Sequence, residues 1–191
     1  QETLLQSLSA TKTISFFIDP YGQVSNFDSI AAQVLETTKG IDALQLVPDG
    51  IIKYVYPLAG NESVIGYNIL KDSARNKEAF KAIDKKEMFF AGPFSLRQGG
   101  VGVVGRLPVY RDNKFWGFSA VVIRISTLIK LAGIDSAGSK GNYFQLSKIN
   151  PGTGNEEYFL PDQKITSGAQ VVSVDVPNGE WKLTLAMSTG S

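Results

Sequence analysis

The chain contains no cysteine and no histidine. Those absences remove thiol and imidazole nucleophiles, every Ser-His-Asp arrangement and the Cys/His zinc sites. Any metal would have to be a hard cation held by oxygens, and no Asp-x-Asp-x-Asp-Gly loop is present. Neither a metal nor an organic cofactor is expected. Charge is sparse as well: 19% of the 191 residues are charged, below the usual quarter, and the net charge is +1. With no block of five like charges, the electrostatic footprint of a nucleic-acid binder is missing. No apolar run reaches the 18 residues of a membrane span, and no basic segment followed by an apolar one opens the chain. Membrane anchors are therefore expected only in segments outside this chain.

What is there in abundance is β-branched and aromatic sequence between residues 87 and 123. Three such runs, parted by Gln98-Gly99-Gly100 and by Arg111-Asp112-Asn113-Lys114, predict three successive antiparallel strands. Within them Gly100-x-Gly102-x-x-Gly105 has the form of a dinucleotide fingerprint. That fingerprint requires a helix opening inside it, whereas Val103, Val104 and Pro108 continue a strand. The glycines are read as strand bends, and Gly92-Pro93-Phe94 as a turn.

Before this sheet the spacing predicts a helix over residues 3–18, carrying Leu4, Leu5, Leu8, Ile14, Phe17 and Ile18 and ending ahead of Asp19-Pro20. A second helix has Ser25 as N-cap, Phe27, Ile30, Ala31, Val34 and Leu35 on one face, and Gly40 beyond its end. A hairpin of strands at 41–47 and 51–58 turns at Pro48-Asp49-Gly50, and Asp72 is expected to cap a helix reaching Ile83. Ser126 to Leu131 reads as a short helix. After a flexible-looking break at residues 137–141, strands are expected at 143–146, 157–160, 170–176 and 180–186. The organisation is thus the end of a stalk helix (1–20), a larger lobe (21–135) and a smaller β-rich lobe (136–191).

Few residues carry candidate chemistry. Asp49, Glu62, Asp72, Asp84, Asp112, Asp135 and Asp162 fall mostly in turns or caps, where local backbone bonding accounts for them. A carboxylate-based enzyme is left as a minor alternative, and no catalytic residue is assigned. Asn61-Glu62-Ser63 matches a glycosylation sequon but reads as a structural loop. Asn68 and Arg106 stand out as polar residues in apolar stretches. Each must either satisfy its groups internally or offer them to a ligand.

Several motifs in order then resemble a known family: Leu46-Val47-Pro48-Asp49-Gly50; Tyr56-Pro57-Leu58-x-Gly60-Asn61-Glu62-x-x-Ile65-Gly66-Tyr67-Asn68-Ile69-Leu70; Ala91-Gly92-Pro93-Phe94-x-Leu96-x-Gln98-Gly99-Gly100-x-Gly102; Pro108-Val109-Tyr110; and Trp116-Gly117-Phe118. Together they resemble the CHASE domain, the extracytoplasmic sensor of bacterial histidine kinases and diguanylate cyclases and of plant cytokinin receptors. The resemblance implies an α+β fold: a PAS-like antiparallel sheet with flanking helices, an N-terminal stalk helix and a smaller membrane-proximal β-rich lobe. It implies a periplasmic ligand sensor that takes a small organic molecule or short peptide and self-associates through its stalk helices. In the plant receptors an Asp matching Asn68 holds the ligand. Phe90 matches an aliphatic pocket position and Gln98 a polar rim position. The expected site is therefore Tyr54, Asn68, Phe90, Gln98 and Arg106. A protein-interaction or dimerisation module without a small ligand is the alternative.

Overall fold

The computed structural model describes residues 2–133, 142–160 and 168–187. The break at 137–141, the expected lobe boundary at 135, Asp135 and Asp162 lie outside them. Helix α1 runs Glu2–Ser15 and α2 runs Phe27–Thr37. Strands β1 (Ala43–Pro48) and β2 (Tyr54–Tyr56) follow, then α3 (Lys77–Lys85). The predicted trio is β3 (Phe89–Ser95), β4 (Val101–Arg111) and β5 (Lys114–Arg124), after which comes α4 (Ile125–Leu131). Strands β6 (Asn142–Ile149), β7 (Glu156–Tyr158), β8 (Gln170–Val176) and β9 (Gly179–Met187) complete the order.

The first five strands form one antiparallel sheet, ordered β2-β1-β5-β4-β3. The last four form a second, ordered β7-β6-β9-β8. This is the α+β, PAS-like architecture expected. Alternation along β4 divides the larger sheet's two faces. Val103 and Val109 enter a core with α1, α2 and α4, whereas Val104 enters a second core with Ile52, Val64, Ile69 and α3. The glycines of the apparent fingerprint serve this packing. A Cβ on Gly102 would sit 2.7 Å from the Ile123 carbonyl oxygen, and one on Gly105 would sit 2.3 Å from Met88 Cε.

The two sheets share a core. Trp181 of β9, together with Phe159 and Val176, packs into the same cluster as Leu44, Phe90 and Ile123. Around that contact, Asn178 Nδ2 donates to the Met88 carbonyl at 2.8 Å and Lys148 Nζ pairs with Glu78 of α3. The opposite end of the large sheet is tied to α1. Arg111, at the end of β4, donates to the carbonyls of Ser15, the last residue of that helix, and of Ile18 and Asp19 just beyond it, where orphan acceptors collect.

Four local expectations are corrected. Asn26, in the left-handed region at φ 56, precedes α2 in place of Ser25 and makes no side-chain cap. Strand β2 is only Tyr54–Tyr56, because Ile51 and Ile52 pair with the 66–68 segment instead. Asp72 closes a turn, accepting from the Ala74 N–H at 2.9 Å, so α3 starts at Lys77. Gly92-Pro93 sits inside β3 at an irregularity rather than in a turn. The sequon asparagine is 4% exposed and its amide donates to the Pro57 carbonyl, which turns inward the nitrogen a glycan would need.

Candidate ligand site

One row of residues crosses the whole larger sheet: Val55, Gln45, Ala120, Arg106 and Phe89 are consecutive partners on β2, β1, β5, β4 and β3. Direct cross-strand partners project to the same face. Ala120, small and fully buried, sits between the two long polar side chains. Gln45 and Arg106 therefore stand two strand spacings apart, roughly 10 Å, with nothing tall between them. Above this row lies the 50–69 segment, closed on itself by the Ile52 N–H to the Tyr67 carbonyl (3.0 Å) and the Ile69 N–H to the Gly50 carbonyl (2.9 Å). The enclosed space is a cleft of about 30 Å³, with Gln45 and Arg106 in its wall and Tyr67, Arg75, Arg97 and Gln98 among its outer residues.

Arg106 is 5% exposed and Gln45 is 3% exposed. Arg106 Nη1 has no hydrogen-bond partner among the described residues. Burial pushes the Arg106 guanidinium down to about 10, with the charge of Glu78 opposing the shift. At neutral pH it remains a cation without an ion pair among the described residues. Buried polar groups are normally satisfied, and a lone buried charge is costly. Arg106 therefore places an unmet hydrogen-bond donor in the wall of the cleft.

The rim is built by ring contacts. Arg97 lies over the Tyr67 ring and Arg75 over Phe94, each 4.6 Å from the centroid. Tyr67 Oη donates to Asp72, which lowers the Asp72 carboxyl; burial, followed by that bond, raises the Tyr67 phenol. Gln98 belongs to the turn closed by the Leu96 N–H on the Gly100 carbonyl. Gly99 and Gly100 there take φ of +97° and +79°, a region that excludes most other residues.

Of the five expected site residues, the fold brings together Arg106 and Gln98. Tyr54 lies on the other face of the sheet, its ring 5.7 Å from Phe27 of α2. Phe90 faces that side too, edge-on to Trp181 at 5.5 Å. Asn68 spends its side-chain oxygen on the backbone N–H groups of Leu70 and Lys71, the local alternative weighed for it above. Gln45, Arg75 and Arg97 were missed as site residues. A lone Gln in Ala43-Leu44-Gln45-Leu46-Val47 carried the same signal as Arg106 and could have been found by it. Arg75 and Arg97 carried none, because exposed arginines are ordinary.

A family model for the CHASE domain matches residues 31–159. The chain belongs to the CHASE domain family. Comparison with curated proteins by sequence finds no match. Solved structures share the fold of this CHASE domain at low identity. An extracellular ligand binding receptor from Desulfohalobium retbaense has a TM-score of 0.68 at 14% identity, matched over 94% of this chain. The chain spans 36% of that receptor's length. The ligand-binding domain of the Pseudomonas aeruginosa amino acid chemoreceptor PctB, solved with L-Arg, has a TM-score of 0.62 at 13% identity, covering 95% of this chain and 83% of that one. PctC from the same organism, solved with GABA, has a TM-score of 0.60 at 16% identity over 92% and 85% of the two chains. The fold and family are those of a ligand-binding sensor domain.

Proposed function

We propose that this CHASE domain is the periplasmic sensor of a transmembrane signalling receptor, of histidine kinase or cyclase type, and that its ligand enters the cleft above Ala120. The observation that carries the site is Arg106, buried with its Nη1 unpaired among the described residues and lining one cleft with the buried Gln45. The chemoreceptor neighbours, solved with L-Arg and with GABA, support a small molecule in preference to a peptide. A cleft of about 30 Å³ agrees, since even one polar head group requires the rim to yield. The domain acts by binding alone, without catalysis.

In this reading residues 21–135 are the sensing lobe, 136–191 the membrane-proximal lobe and 1–20 the end of the stalk. Ligand in the cleft shifts the population of rim conformations around Asp72 and Arg75. Helix α3 begins immediately after them, and Glu78 ties that helix to Lys148 of the second sheet. A thermal-shift screen of metabolites tests the site. Ligands that raise the melting temperature of the wild type should lose at least about tenfold in affinity on Gln45→Leu. Full retention of binding by that variant would move the site elsewhere.

Self-association through the stalk helix is supported by a specific feature of α1 and its end. Leu5, Phe16 and Phe17 are exposed there, at 47%, 79% and 44%, without cover from the described residues. Sedimentation velocity should show a wild-type dimer at tens of micromolar and a monomer for the double change Leu5→Ser, Phe16→Ser. A monomeric wild type would refute the dimer.

A further inference from the structure

We propose that the cleft is a receptor for a small organic acid, whose carboxylate docks on Arg106 and the Gln45 amide while the remainder emerges between Arg75 and Arg97. The proposal rests on the reading of this cleft as the ligand site, and adds its chemistry.

The floor decides the docking group. Arg106 Nη1 is buried without a partner. The nearest carboxylate to influence it is that of Glu78, which is committed elsewhere: it pairs with Lys148 and accepts from the Gly92 N–H at 3.2 Å. A guanidinium presents its N–H groups as a planar fork that matches the two oxygens of a carboxylate. Gln45, on the far side of Ala120, can donate from its amide to the same oxygens. A neutral ligand would supply acceptors but leave the buried charge uncompensated. A cation would add to it.

The rim decides what the rest of the ligand carries. Among the residues lining the cleft are three arginines, at 75, 97 and 106, and no carboxylate. Arg75 is partly committed, donating to the Ser95 carbonyl at 2.8 Å and lying 3.7 Å from Asp72. Arg97 is held over the Tyr67 ring, and its guanidinium makes no ion pair with the described residues. A second anionic group at the mouth meets Arg97. An ammonium group next to the carboxylate finds no carboxylate among the lining residues, and the nearby Asp72 is already engaged by Tyr67 and Arg75. The ligand class is thus an acid without an amino group, and a dicarboxylate ahead of a monocarboxylate.

Isothermal titration calorimetry with succinate, propionate, β-alanine and inorganic phosphate reads these steps separately on the folded domain. Succinate should bind most tightly, propionate about tenfold more weakly, and β-alanine and phosphate more weakly still. Arg106→Gln should weaken succinate by about 100-fold or more, and Arg106→Lys, which keeps the charge without the fork, by less. Arg97→Gln should weaken succinate about fivefold and leave propionate unchanged. Should Arg106→Gln fail to fold, Arg106→Lys and Gln45→Leu supply the same reading.

Succinate binding untouched by every one of these changes would overturn the proposal, as would β-alanine matching propionate. Phosphate matching succinate would replace an organic acid with an inorganic oxyanion and overturn it as well. If none of the acids binds while a neutral or cationic compound does, and Gln45→Leu abolishes that binding, the sensor site stands and the acid chemistry falls.

Discussion

Trp181→Ala is expected to destabilise the chain by about 4 kcal/mol, the range for removing a large aromatic side chain from a core. Trp181 is 2% exposed and meets Phe90 and Phe159 edge-on, with centroids 5.5 and 4.7 Å away. Each such pair adds to the burial. The loss is not readily repaired by collapse. An apolar crevice of about 130 Å³ already lies beside the indole, lined by Leu4, Leu128 and Phe144 among others, and the truncation enlarges it. Phe90 stands on β3 and Trp181 on β9, so the change strikes the junction between the two sheets. Urea unfolding followed by fluorescence and by far-ultraviolet circular dichroism should show the midpoint fall by about 2 M in a single coincident transition. A separate early transition, with the rest of the chain unaffected, would show instead that the second sheet folds and unfolds by itself.

Arg106→Met is expected to do the opposite to the unliganded domain. Burial holds the Arg106 guanidinium down at about 10, so the folded chain binds this proton less tightly than the unfolded chain does. The charged form is therefore a cost of folding, fully present at every pH below about 10, neutral pH included, and relieved only as pH rises through that value. The cost is about 3 kcal/mol, on the order of what replacing uncompensated buried charge with apolar side chains returns in other proteins. Methionine keeps the unbranched stem and fills irregular space. The variant should melt about 6–12 °C above the wild type in the absence of ligand and lose the response to any acid that stabilises the wild type. A variant that melts lower, or that is still stabilised by succinate, would show that Arg106 is satisfied within the protein. Retaining a residue that lowers stability is the exchange expected at a binding site.

Much of the fold was legible in local pattern. The three strands after residue 87 follow from dense β-branched and aromatic runs with unmistakable turns, and Asp112-Asn113 indeed takes positive φ at both positions. Helix α2 follows from five apolar residues at helical spacing, of which Phe27 and Ala31 are buried and the other three pack on the same core. The second sheet follows from alternation, with Trp181 buried and Lys182 partly exposed beside it. The start of α3 was misread because Asp72 serves helix caps and Asx turns through the same side-chain geometry. Side chains nearby in sequence selected the turn: Tyr67 and Arg75 hold the Asp72 carboxylate, and Asn76 reaches back to the Leu70 carbonyl.

By itself, the sequence determined the class of fold, the family, the absence of thiol and imidazole chemistry, and Arg106 as a polar residue in need of an explanation. All of these depend on residue type and short-range periodicity. The tertiary structure alone decided where a ligand site could be. Alternation says that neighbouring residues face opposite ways, yet it does not say which face lies beneath the cap. That assignment sent Tyr54 and Phe90 to the far side. The pairing of Gln45 with Ala120, and of Ala120 with Arg106, joins β1 to strands more than fifty residues away in the chain. Their register, set by burial on both faces of the sheet, leaves a small residue between two long polar ones and so makes the cleft.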